Sequence, residues 1–139
     1  MAPAKILVVD DNTADVKLLR IALDQHGEKY EMQVLGSGED ALRFVEEHGK
    51  RGREHPCVIL LDLNLPQYDG LVILKAIRQN PQLSDVRVVV LSGFASPQQR
   101  GHIESLGGIY MQKPLELADY FELGAKVIEI CNGTAAVAA

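Results

Sequence analysis

The sequence predicts an α/β domain in which five parallel strands carry helices on both faces. Three observations support this. Short apolar runs, each closed by a polar residue, alternate with helix-length amphipathic segments. The runs are apolar at consecutive positions, as strands covered on both faces require. The chain has 139 residues, 47% of them apolar and 24% charged, which suits one globular domain with a core of its own.

The first run is Ile6, Leu7, Val8 and Val9, closed by Asp10 and Asp11. A weaker strand is expected over residues 31–35, where polar and apolar residues mix. Residues 57–61 (Cys, Val, Ile, Leu, Leu) are closed by Asp62, and residues 86–91 by Ser92. The last run, residues 108–111, precedes Gln112, Lys113 and Pro114. Helices fill the intervals. Over residues 14–25, Val16, Leu19 and Leu23 share one face. Ser37 is placed to cap a helix over 38–48, with Asp40 where a capping box needs its acid. Residues 70–79 carry Leu71, Leu74 and Ile77 until Asn80 and Pro81 stop the helix. Ser96, Pro97 and Gln99 give the next helix a cap, a first-turn proline and a capping-box partner. That helix is poor in apolar residues and contains Gly101, so it should be the least stable. The last helix covers 117–130, with Leu117, Phe121 and Ile128 as core candidates.

Several function classes drop out. A net charge of −5 gives no basic surface for nucleic acid. No apolar run reaches the ~18 residues that span a bilayer, and residues 1–5 lack a signal-peptide pattern, so a cytoplasmic protein is expected. Cys57 and Cys131 have neither disulfide-framework nor zinc spacing and read as buried free thiols. His26, His48, His55 and His102 lack metal-ligand spacing and read as solvated. The basic stretch Lys50, Arg51 and Arg53 reads as a solvated loop.

Asp10 and Asp11 follow the first strand and Asp62 ends the third. Ligands bind an open α/β sheet at its C-terminal edge. If these strands are neighbours, the acids converge and need a cation; oxygen-only ligands suit Mg²⁺ or Mn²⁺. Ser92 and Lys113 bring a hydroxyl and an ammonium to the same edge. Nucleophilic carboxylate, cation, hydroxyl and ammonium together make a phosphoryl-transfer site, with Asp62 attacking in line.

Val8-Val-Asp-Asp-Asn12, Leu60-Leu-Asp-Leu-Asn-Leu-Pro66 with Asp69-Gly70, Val90-Leu-Ser-Gly93 and Lys113-Pro114 resemble the receiver domain of two-component response regulators. The resemblance spans about residues 4–130, so 1–131 is assigned to one receiver domain and 132–139 to a short flexible tail. It implies a flavodoxin-like (βα)5 fold of strand order 2-1-3-4-5. It implies that Asp62 accepts a phosphoryl group from a sensor histidine kinase. Asp11, Asp62 and the Asn64 backbone carbonyl would hold Mg²⁺, with Asp10 acting through water. Ser92 and Lys113 would bind the phosphoryl group, and Tyr110 would be the switch aromatic. Asn64 and Phe94 would tune dephosphorylation, and the Lys113–Pro114 bond would be cis.

The phrases around Asp62 and at residues 80–85 further resemble single-domain regulators partnered with bacterial phytochromes. One helix follows Lys113, so no output domain is expected and signalling would pass through protein contacts. A homodimer through the fourth strand, fifth strand and last helix, or relay to a histidine phosphotransfer protein, fits that pattern. The chain would then be a phosphoacceptor signalling protein, not an enzyme. Three other readings compete with this one. An aspartate-nucleophile phosphohydrolase usually has a second acid where Asn64 stands, and a flavodoxin would not place Asp10 and Asp11 in its phosphate loop. A receiver-like module that works without phosphate would not need the complete set of acids, serine and lysine.

Overall fold

The apolar runs become the strands of one sheet, and the residues between them become its helices. The computed structural model describes residues 4–27, 29–48 and 55–133. In chain order the elements are β1 (Ala4–Val9), α1 (Thr13–Asp24), β2 (Tyr30–Leu35), α2 (Gly38–Glu47), β3 (Val58–Asp62), β4 (Asn64–Leu65), β5 (Tyr68–Asp69), α3 (Gly70–Gln79), β6 (Arg87–Ser92), α4 (Pro97–Ser105), β7 (Ile109–Gln112) and α5 (Leu117–Cys131). The main sheet has the order β2-β1-β3-β6-β7 and is parallel throughout. Its β6 and β7 are the fourth and fifth strands of the sequence reading, so the expected 2-1-3-4-5 order holds. A short antiparallel pair, β4–β5, lies outside that sheet, with Asn64 opposite Asp69 and Leu65 opposite Tyr68.

Alternation along each strand divides the core in two. Leu7, Val9, Ile59 and Leu61 pack with Ile73, Leu74 and Ile77 of α3 and Ile103 of α4. Their neighbours Ile6, Val8, Val58 and Leu60 point the other way, onto Leu19 and Leu23 of α1 and Val127 of α5. Burial on both faces is why these strands read as unbroken apolar runs. The edge strand β2 is only partly buried, which explains its weak signal.

The expected cap at Ser37 forms, and Asn12 and Asp69 supply two more. The Asn12 side chain accepts the Ala14 and Asp15 N–H groups, Ser37 accepts from Asp40, and Asp69 accepts from Leu71. Ser96 and Gln99 form the expected capping box, yet α4 buries only Ile103. Its far end is braced by Arg78 of α3. That guanidinium donates to the carbonyls of Leu106 (2.6 Å), Gly107 (3.2 Å), Val86 (2.7 Å) and Ser84 (3.1 Å).

Four expectations fail. In α5 the buried stripe is Tyr120, Leu123, Gly124, Val127, Ile128 and Ile130, while Leu117 is 46% exposed and Phe121 half-buried. The phase was misread because Tyr120 looks polar and Gly124 looks empty, although Gly124 lets α5 approach Ala22 of α1. Cys57 and Cys131 are not free thiols. They form a disulfide, because α5 lies across the sheet and ends beside the start of β3, with the two Cα atoms 5.0 Å apart. His48 is not solvated: it is buried against Phe44 and hydrogen-bonded to His55 at 2.8 Å. The Lys113–Pro114 bond is trans, and Lys113 still reaches the site, so nothing offsets the usual trans preference. The basic stretch at 50–53 and most of the 132–139 tail lie outside the described residues.

Candidate functional site

Register brings the acids together. β1 lies beside β3, with Val9 opposite Leu61, so Asp10 and Asp62 end adjacent strands. β3 in turn pairs with β6, which sets Leu91 opposite Asp62 and Ser92 next along. Ser92 pairs with Gln112 of β7, and the Lys113 N–H donates to the Ser92 carbonyl at 2.8 Å. Asp10, Asp11, Asp62, Ser92 and Lys113 therefore meet at one sheet edge, as the sequence pattern predicts.

Asp62 is 5% exposed and both its oxygens are engaged. One accepts the Asn64 N–H at 2.9 Å, and the other accepts from the Lys113 ammonium at 3.1 Å. Oxygens of Asp10, Asp11 and Asp62 all lie within 4.8 Å of one another. Burial pushes the Asp10 carboxyl above its ordinary range, against the opposing pull of the Asn12 N–H and Lys113. Burial alone would lower Lys113; hydrogen bonds to Asp15 and Asp62 outweigh it and hold the ammonium well above its ordinary value. An all-oxygen, net-negative cradle with one exposed member fits a hard divalent cation.

Ser92 is fully buried, and its hydroxyl is turned toward its own loop. It donates to the Phe94 carbonyl at 2.6 Å and accepts from the Asn64 amide at 3.0 Å and the Phe94 N–H at 3.2 Å. Asn64 thus links Asp62 through its backbone to Ser92 through its side chain. Tyr110 is half-buried and donates to the Ser92 carbonyl at 3.3 Å, with Arg100 of α4 over its ring at 4.7 Å. Phe94 is 74% exposed on the rim.

Two residues escaped the sequence reading. Asp15 accepts from Lys113 at 2.9 Å, a shorter contact than that of Asp62. Tyr120 of α5 donates its hydroxyl to Asp15 at 3.1 Å, and burial together with the Asp15 charge pushes that hydroxyl up to about 12. The usable signal was position: Asp15 lies in the first turn of the helix that follows Asp10 and Asp11, which keeps it above the same edge.

Fold and site together are those of a receiver domain of two-component signalling, and residues 6–123 match the response regulator receiver domain family. The chain belongs to that family. It is 35% identical over 125 residues to the response regulator Rcp1 of Synechocystis sp., covering 87% of this chain and 84% of Rcp1. Among solved structures it resembles the phosphorylated cyanobacterial phytochrome response regulator RcpA, with TM-score 0.84, 31% identity, and 99% and 100% of the two chains covered. The Mn²⁺-bound form of Rcp1 matches with TM-score 0.79 and 32% identity over 91% of this chain and 93% of that one. Its phytochrome-associated relatives match the narrower resemblance read from the sequence. Receiver-domain response regulators are signalling proteins that partner with sensor kinases and bind a divalent metal at an acidic pocket. No helix among the described residues is long and apolar enough to cross a membrane.

Proposed function

We propose that this chain is a stand-alone cytoplasmic response regulator that takes a phosphoryl group on Asp62 from a histidine of a phytochrome-like sensor kinase. The observation that carries this is the buried Asp62 carboxylate, held between the Asn64 N–H and the Lys113 ammonium with Asp10 and Asp11 beside it. A carboxylate fixed at two points is oriented for in-line attack. One Asp62 oxygen forms a P–O bond as the P–N bond of the phosphohistidine breaks, and the imidazole leaves with the electron pair. Lys113 compensates charge on the phosphoryl oxygens.

Asp11, Asp62 and the Asn64 backbone carbonyl would hold Mg²⁺, with Asp10 acting through water. When bound, the ion supplies neutralisation of the phosphoryl charge. An acyl phosphate adds nearly two charges and three acceptors. It draws the Ser92 hydroxyl from the Phe94 carbonyl, which frees the loop before α4 and the Tyr110 hydroxyl bonded to the Ser92 carbonyl. Output follows through protein contacts, including a second copy over β6, β7 and α5, or through relay to a histidine phosphotransfer protein. Asn64 and Phe94, beside the Ser92 hydroxyl, tune the return of water to the acyl phosphate.

The test is intact mass after incubation with Mg²⁺ and acetyl phosphate. The parent should gain one phosphoryl group, and Asp62→Asn, or the parent without Mg²⁺, should gain none. No gain by the parent, under conditions that label a control receiver, favours a phosphate-independent interaction module.

A further inference from the structure

Lys113 carries one positive charge and serves three carboxylates: Asp15 at 2.9 Å, Asp62 at 3.1 Å and Asp10 at 3.7 Å. Asp15 is the nearest of the three, and it does not belong to the acid cluster that could hold a cation. Its position is fixed from two sides. Its N–H is held by the Asn12 cap at 3.2 Å, and its second carboxylate oxygen accepts from the Tyr120 hydroxyl at 3.1 Å. Tyr120 is itself buried, and a buried hydroxyl needs such a partner. An acid in the first turn of a helix is ordinarily satisfied by the helix terminus alone. This one spends both oxygens on side chains from beyond its own helix.

We infer that Asp15 is a positioning residue for Lys113: held by Tyr120, it shares the ammonium with the phosphoacceptor and so sets how much uncompensated negative charge the site offers a divalent cation. The inference rests on the phosphoacceptor reading of Asp62 and deepens it. While Asp15 holds part of the ammonium, Asp62 and Asp10 keep charge for a cation. When Asp62 carries an acyl phosphate, its larger charge draws Lys113 inward. Asp15 is then left with Tyr120, and α1 and α5 register the change through that one hydrogen bond.

The test is a double-mutant cycle on the full chain: parent, Asp15→Asn, Lys113→Met and the double variant. The readout is the Mn²⁺ dissociation constant, from the electron paramagnetic resonance signal of free Mn²⁺. In the parent background, Asp15→Asn frees the lysine to compete with the ion and should weaken binding about threefold to tenfold. In the Lys113→Met background the same substitution should change it about twofold or less, the effect of a bare charge near the surface. Asp15→Glu should restore parent affinity, and Tyr120→Phe should weaken it by less than Asp15→Asn does. Circular dichroism melts confirm that each variant is folded. Equal effects of Asp15→Asn in both backgrounds would overturn the inference, because Asp15 would then act without the lysine. So would a folded parent that binds no Mn²⁺.

Labelling of the parent by acetyl phosphate separates the two readings. A non-additive Mn²⁺ cycle in a protein that takes no phosphoryl group removes the proposed function and keeps this inference. An additive cycle in a protein that labels normally does the reverse.

Discussion

Gly70→Ala adds one methyl group where α3 begins beneath Asp62. A Cβ there would stand 2.8 Å from the Leu63 Cα and 3.0 Å from the Asp62 carbonyl oxygen. Both are backbone atoms, and the Gly70 N–H is already bonded to the Leu63 carbonyl at 3.1 Å. The neighbours can yield only by shifting the segment that carries Asp62 and Asn64. Overpacking of this kind costs about 1–3 kcal/mol. Alanine gains at most ~1 kcal/mol of helix propensity, and less at a first helical position. Steric cost wins, and a net loss of about 1–2 kcal/mol is expected. Gly101→Ala in the interior of α4 meets nothing within 4 Å, so only the propensity gain remains. There the expected change is a stabilisation of about 0.8–1 kcal/mol, or roughly fourfold slower amide exchange along α4. Urea unfolding reads the first variant and hydrogen exchange the second. Acetyl phosphate labelling should also slow in Gly70→Ala. A Gly70→Ala protein with the parent's urea midpoint and labelling rate would refute the steric argument. Unchanged exchange in Gly101→Ala would show that propensity is not what limits α4.

Reducing the Cys57–Cys131 disulfide opens a loop with a sequence separation of 74 and should lower the urea midpoint. The chain-entropy estimate puts the loss at up to about 4.5 kcal/mol, and unfolding with and without dithiothreitol measures it. Phe94→Glu should shorten the acyl-phosphate lifetime by letting water approach, read by mass against time; a lifetime equal to or longer than the parent's would refute it. The Tyr30 hydroxyl is pushed up to about 12 by burial and its bond to Asp24. The folded state then holds that proton more tightly than the unfolded chain. Stability is intact below pH ~10 and falls between ~10 and the folded value, and Tyr30→Phe should flatten the decline in urea titrations across that range.

What the sequence made legible was what a single period or a strand end encodes. Double-sided burial wrote β1, β3 and β6 as unbroken apolar runs, and polar closure of each run marked Asp10, Asp62 and Ser92. The cap residues at Ser37 and Ser96 act locally, so they survive into the structure unchanged. What escaped depends on elements far apart in the chain. Asp15 and Tyr120 meet only because α1 packs on α5, and the Cys57–Cys131 bond needs the same helix to lie over β3. His48 is buried against Phe44, one helical turn earlier, and its bond to His55 is one that spacing does not reveal. The β4–β5 pair is two residues a side, too short for any periodicity.

The Arg78 brace has a mechanical meaning. Four carbonyls from two stretches of chain converge on one planar guanidinium, a pattern that the compact ammonium of a lysine cannot reproduce. The brace grips the chain at Leu106 and Gly107, just past the C-terminal end of α4. The other end rests on a capping box joined by a short loop to Ser92. A helix gripped at one end and tugged at the other does not slide. A small displacement at Ser92 would turn it as a lever about Arg78 and swing the α4 surface.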